Sequence, residues 1–257
     1  LNRDQAAMLD EMRAVGCEYV VNFAALNMVA ESWKHATSYY RTNVLALAEL
    51  VERLRKISTL RKFIQVSTPE VYGATQVMLR EDASYNPSTP YAVSRAAADM
   101  NLLAYHRTFG FPVVFMRSVN VYGPGQQLYR IIPKTILSIL AGKRLPLHGG
   151  GASTRSFIHI RDAMEAVFLA IAKGRAGEVY HTSTPRQTSI RDLVAMICAR
   201  MGVAFDDVAE VTEDRAGKDP AYQLDSAKAR HELGWTDKIA LEDGLDEVIA
   251  WVRADHA

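Results

Sequence analysis

Lys62-Phe-Ile-Gln-Val-Ser67-Thr68-Pro69-Glu70-Val71-Tyr72-Gly73, read together with Ser88-Thr89-Pro90-Tyr91-Ala-Val-Ser94-Arg95, decides how this chain folds. Residues 62–66 form an apolar run that reads as a buried strand ending in a hydroxyl-rich turn. Ser88-Thr89-Pro90 is a start signal for the long apolar-periodic helix that follows, running to about Phe109 and stopping at Gly110. Tyr91 and Arg95 are four residues apart, which places both on one helix face within reach of each other. A phenol beside a fixed cation, facing a hydroxyl (Thr68) and a carboxylate (Glu70) at a strand end, suits proton transfer.

The same rhythm extends outward from this unit. Upstream, residues 4–15 read as an amphipathic helix closed by Gly16, Glu18–Ala25 as a buried strand, and roughly Thr37–Ile57 as a long helix. Downstream, Phe111–Met116 reads as another strand and Asn120–Gly125 as a turn rich in Pro and Gly. Strict alternation of apolar strands with long helices predicts an α/β fold with a parallel sheet covered on both faces. After Gly125 the elements shorten. Ile131–Ala141 reads as a helix, Leu145–His148 as a strand and Gly149–Arg155 as a loop. Ser156–Ile160 reads as a strand, Ala163–Lys173 as a helix and Val179–Thr182 as a strand. A capping box at Ser189–Asp192 opens a helix to Met201, and two helices close the chain. The expected division is 1–125 for the sheet domain and 126–257 for a smaller lobe, with about 156–182 returning to the sheet.

Bulk properties narrow the function. The 257 residues carry a formal charge of +1, 49% apolar and 23% charged residues, so no overall electrostatic bias favours nucleic acid or an anionic membrane. No run approaches the length of a membrane span. Cys17 and Cys198 both sit in apolar-periodic segments and read as buried free thiols, with no metal site implied. The expected location is the cytoplasm. One absence weighs heavily. A dinucleotide-binding sheet opens strand, Gly-rich turn, helix, and no such turn precedes the first strand here; Gly149–Gly151 has no long helix directly after it. The start on Leu1 in mid-pattern favours a missing first βαβ unit.

From Asn22-Phe-Ala-Ala25 through Ser67–Gly73 and Tyr91–Arg95 to Leu233-Gly-Trp235, the chain resembles the extended short-chain dehydrogenase/reductase family. Within it, the nucleotide-sugar 4,6-dehydratases of the dTDP-glucose type are the nearest match. The resemblance implies a Rossmann-like sheet with a C-terminal α/β substrate lobe, and NAD as cofactor. It implies a nucleotide-diphosphate sugar as substrate and a homodimer formed through helices 37–57 and 91–109. The catalytic positions carried over are Thr68, Glu70, Tyr91 and Arg95. Tyr91 takes the proton of the sugar 4-hydroxyl during C4 oxidation; Glu70 removes the C5 proton before the C6 hydroxyl leaves and hydride returns. Ala24, Ala25 and Thr42 join Tyr91 and Arg95 on the cofactor side. Thr68, Asn120, Arg130, Ile131, Pro146, Leu147, His148, Arg155 and Arg215 are implied on the substrate side, Arg155 as a diphosphate clamp of the kind forked guanidinium donors favour.

Several redox-side positions depart from the family pattern. Arg95 stands where the family has Lys, and Pro69 where the dTDP-glucose enzymes have the Asp that protonates the departing hydroxyl. Met28 replaces a substrate-side His, Val121 a cofactor-side Asn and His181 a substrate-side Asn. Three outcomes therefore stay open from sequence. They are 4,6-dehydration, a related 4-epimerisation or uronate decarboxylation, and sugar-nucleotide binding without catalysis.

Overall fold

A computed structural model describes residues 4–75, 77–213 and 223–256. Four parallel strands form the central sheet in the order Tyr19–Asn22, Lys62–Val66, Val113–Ser118, Val179–Thr182. Successive side chains of a strand point to opposite faces, and here both faces are apolar. Phe63, Val113 and Phe115 pack under Leu47, Leu50, Val51 and Leu54 of the Ala46–Leu54 helix and Leu102 of the Pro90–Phe109 helix. Ile64, Val114 and Met116 face Ala163, Ala166, Val167 and Ala170 of the Ile160–Lys173 helix, with Trp235 beyond. A register slip of one residue would exchange these two sets, so two-sided burial locks the pairing.

The Pro90–Phe109 helix begins where its sequence signals place it. Thr89 accepts a hydrogen bond from the Ala92 amide (3.1 Å), Pro90 occupies the first turn, and Gly110 ends the helix at φ 67°. The helix predicted over Thr37–Ile57 is interrupted by a π-turn, Arg41–Leu45, between Ala36–Tyr40 and Ala46–Leu54. A short helix, Val29–Lys34, precedes it with too few apolar residues to show a period.

Two expected boundaries are corrected. The first strand ends at Asn22, not Ala25, because the Asn22 side chain turns the chain out of the sheet. Its oxygen accepts from the Ala24 amide (3.1 Å) while its amide donates to Gln65 (2.9 Å). The Asn120–Gly125 turn begins only at Gly123: Asn120–Tyr122 is a strand, paired in parallel with Phe157–His159. Tyr122 and Phe157 are drawn into a second core with the Ile131–Leu140, Ile190–Met201 and Leu241–His256 helices. A third apolar cluster joins Leu145 and Leu147 to Val194, Cys198 and Val208. Cys198 is buried there; Cys17 is only half-buried, its thiol donating to the Tyr19 carbonyl, and both are free.

Candidate active site

The strand Lys62–Val66 delivers Ser67 and Thr68 to its carboxyl end, and Pro69–Tyr72 then forms a 3₁₀ turn. Thr68 caps that turn, accepting from the Glu70 amide (3.3 Å). Its hydroxyl also shares a hydrogen bond with the phenol of Tyr91, on the first turn of the adjoining helix. Tyr91 is 8% exposed and stands edge-on to Tyr39, with ring centroids 6.3 Å apart. Three charged side chains set its electrostatics: Arg95 and Arg130 favour the phenolate, and Glu70 opposes it. Burial outweighs them and raises the Tyr91 pKa above its ordinary value.

Arg95 is 3% exposed and donates to the Val66 carbonyl, the last of the strand. No carboxylate pairs with it among the described residues, and its buried Nε finds no partner there. A guanidinium sits where an ammonium was expected, tied to the strand end while its charge still acts on Tyr91. Thr68, Glu70, Tyr91, Arg95 and Arg130 are thus brought together. Arg130 is the residue preceding the Ile131–Leu140 helix.

The other predicted positions lie on several separate elements. Ala24 and Ala25 follow the carboxyl end of the first strand, the edge where open parallel sheets bind ligands. Thr42 lies in the π-turn. Asn120 donates to the Ser156 carbonyl (3.2 Å). Arg155 sits in the short strand Thr154–Arg155, antiparallel to Thr188–Ser189. Pro146 and His148 are half-buried on the strand Leu145–His148, but the Leu147 side chain is 2% exposed within the apolar cluster, leaving only its backbone for a ligand. His148 Nδ1 bonds to Thr212 (3.0 Å), and its Nε2 finds no partner among the described residues. Arg215, with Asp214–Lys218, lies outside the described residues.

Several buried polar groups lie behind the site; of these the sequence reading named His181 but not Asn43, Asp99 or Arg117. Asn43, 1% exposed, bonds both the amide and the carbonyl of Leu26 and the Ser94 hydroxyl, joining the first strand's exit loop to the Tyr91 helix. Asp99 and Arg117, both without exposed surface, form an ion pair at 2.8 Å. His181, also fully buried, meets the Tyr72 hydroxyl at 2.8 Å, and burial lowers its pKa to about 3. The available signal was polarity in the wrong place: Asp99 and Arg117 each interrupt an apolar run, whereas Asn43, after Arg41 and Thr42, gives no such sign. The cavity of about 540 Å³ lined by Glu81, Tyr85, Arg107 and Lys228 lies at the opposite, amino end of the sheet and is not this site.

The donors present fit a dinucleotide's nicotinamide half. The small side chains of Ala24 and Ala25 leave strand-end backbone open, and the unpartnered Arg95 Nε is a buried donor suited to a ribose hydroxyl. A parallel sheet with Thr68, Glu70 and Tyr-x-x-x-Arg at its carboxyl edge has the features of the extended short-chain dehydrogenase/reductase class. The GDP-mannose 4,6 dehydratase family pattern matches residues 2–248, and the chain belongs to this family.

Among its relatives, dTDP-glucose 4,6-dehydratase of Streptomyces niveus is 36% identical over 251 residues, which cover 97% of this chain and 74% of the relative. A trifunctional UDP-glucose 4,6-dehydratase/UDP-4-keto-6-deoxy-D-glucose 3,5-epimerase/UDP-4-keto-L-rhamnose-reductase of Arabidopsis thaliana is 35% identical over 236 residues, 90% of this chain and 35% of that longer protein. The fold matches dTDP-glucose 4,6-dehydratase from Streptomyces venezuelae with NAD and TYD bound at TM-score 0.93 and 33% identity, covering 99% of this chain and 78% of that one. It matches UDP-glucuronic acid 4-epimerase from Bacillus cereus, in complex with UDP-glucuronic acid and NAD, at TM-score 0.91 and 28% identity, covering 98% and 79%.

Proposed function

We propose that this protein is an NAD-dependent nucleotide-sugar 4,6-dehydratase. The observation that carries the reading is the convergence of Thr68, Glu70, Arg95 and Arg130 on the buried Tyr91 phenol. Bound NAD would supply the hydride exchange that oxidises C4 and later reduces C6. Tyr91 accepts the proton of the 4-hydroxyl, steadied by Thr68, and the Arg95 and Arg130 charges stabilise the phenolate it must first become. The 4-keto group acidifies C5, and Glu70 takes that proton. With Pro69 beside it in place of an acid, Glu70 returns the same proton to the departing C6 hydroxyl, which leaves as water; as hydride is returned to C6, C5 takes up a proton from solvent.

On the substrate side we assign Asn120, Arg130, Ile131, Pro146, His148, Arg155 and Arg215, together with the Leu147 backbone, to the sugar nucleotide. Ala24, Ala25, Thr42 and Arg95 are assigned to the cofactor. The division at residue 125 follows these roles, with the strand Val179–Thr182 belonging to the sheet. A homodimer through the helices at 37–57 and 91–109 is supported by exposed apolar side chains on both, Leu45 at 55% and Met100 at 59%. The free cysteines favour a reducing cytoplasm. Among the described residues no helix is long and apolar enough to cross a membrane.

Product NMR with dTDP-glucose, UDP-glucose and GDP-mannose in deuterated water, with NAD supplied, tests the reading. A C6 methyl with deuterium at C5 is expected. Inversion at C4 alone would overturn dehydration in favour of epimerisation, and binding without turnover would leave only the non-catalytic alternative. Size-exclusion mass at micromolar concentration is expected to report a dimer; a monomer would remove that assignment.

A further inference from the structure

The Pro69–Tyr72 turn that carries Glu70 is gripped from below at both ends. At its entrance, the Ser67 hydroxyl donates to the Asp99 carboxylate at 2.6 Å, and Asp99 is paired with Arg117 at 2.8 Å. At its far end, the Arg117 guanidinium donates to the Tyr72 hydroxyl and lies 4.7 Å from that ring's centroid. Arg117 can only donate, so the Tyr72 proton is free to point to His181 Nε2, 2.8 Å away. The ionisation states agree with that direction. Burial keeps the Tyr72 phenol protonated, its pKa pushed up to about 12, and keeps His181 neutral, so the imidazole accepts. These groups come from three neighbouring elements: Asp99 from the Tyr91 helix, Arg117 from the strand Val113–Ser118 and His181 from the strand Val179–Thr182.

Stability alone is a poor reason for such an arrangement. A fully buried ion pair is often replaceable by apolar side chains at no loss, whereas it fixes its neighbours' geometry through directional bonds. The bonds here converge on one short segment, and Glu70 is the ionisable residue among the four, Thr68 to Val71, that lie between the two gripped ends. We propose that Ser67, Tyr72, Asp99, Arg117 and His181 form a buried clamp that holds the Glu70 carboxylate in place for proton removal at C5, which makes Tyr72 and Ser67 positioning residues of the reaction. This rests on the dehydratase reading for its chemistry, but not for its geometry.

Tyr72→Phe and Ser67→Ala each cut one arm without removing a buried charge, so both variants are expected to fold. With NAD and the nucleotide sugar that wild type converts, kcat falls about 10- to 100-fold while KM stays within about threefold. The isotope effect on kcat from C5-deuterated substrate rises, because C5 deprotonation becomes limiting. Tyr85→Phe is the control: its hydroxyl takes a bond from the same guanidinium but comes from the following loop, not the turn. A scaffold-only role predicts equal losses for Tyr72→Phe and Tyr85→Phe and an unchanged isotope effect, and either result overturns the clamp. The carboxyl resonance of Glu70 in ¹³C-glutamate-labelled protein, assigned with Glu70→Gln, gives a second readout that needs no turnover. It is expected to shift or broaden in Tyr72→Phe and Ser67→Ala. If wild type makes no 4-keto-6-deoxy sugar, the functional reading fails and this resonance alone decides: a signal identical to wild type in both variants overturns the clamp.

Discussion

Tyr91 is a phenol held almost wholly out of water, and its surroundings set the pH at which it can accept a proton. Burial raises its pKa and the nearby Arg95 charge pulls back only part of that rise. The phenolate fraction therefore grows with pH, and kcat is expected to climb through the alkaline range instead of levelling near neutrality. Arg95→Met removes a charge that favours the phenolate, so the rising limb moves to higher pH; a limb that stays in place or moves down would show that Arg95 does not act on Tyr91. Glu70→Gln keeps the shape of the turn and removes the base. Product formation is expected to fall by about 10²- to 10⁴-fold with substrate affinity retained, and unchanged turnover would take Glu70 out of the mechanism. Thr68, Glu70 and Tyr91 could be found in sequence because their spacing around Pro69 and Pro90 is local. Arg95 was found too, but its anchorage on the Val66 carbonyl was not, since a chain reading shows neighbours along the chain and not across the sheet.

At the scale of elements, the turn after Glu70 depends on Gly73. Its φ is 72°, and a Cβ there would lie 2.2 Å from the Asn86 carbonyl oxygen. With ψ at −170° this is a conformation essentially reserved for glycine, so Gly73→Ala is expected to cost about 1–3 kcal/mol from the backbone alone, with a further loss of activity as the turn shifts; a melting temperature equal to wild type would contradict this. Strands with two-sided apolar burial and helices with Thr or Ser caps were legible, because burial and capping are written in composition. The π-turn at Arg41–Leu45 was not, nor the early exit of the chain at Asn22. Both are set by tertiary partners: Asn43 bonds to Leu26 and Ser94, and Asn22 to Gln65. The strand Asn120–Tyr122 was hidden by the Gly-Pro-Gly that follows it.

On the scale of the whole molecule, His181 couples stability to pH. The unfolded chain protonates this imidazole near its ordinary value of 6.5, while the folded protein does so only at about 3. Between those values the unfolded state binds the extra proton, so stability falls as pH drops, by roughly 1.4 kcal/mol per unit within the window. Thermal melts from pH 7 towards 4 are expected to show this decline, with a shallower slope in His181→Gln; equal slopes would assign the decline to other groups. The sheet's order has a different consequence, for the growing chain. Phe115 pairs with Val179, so Val113–Ser118 gains its second neighbour only after the intervening residues 119–178 have been made. Until then Val-Val-Phe-Met is an open apolar edge, a template for pairing with other chains. During synthesis this strand is the segment a chaperone would have most reason to hold, and the fourth strand is the point at which that need ends.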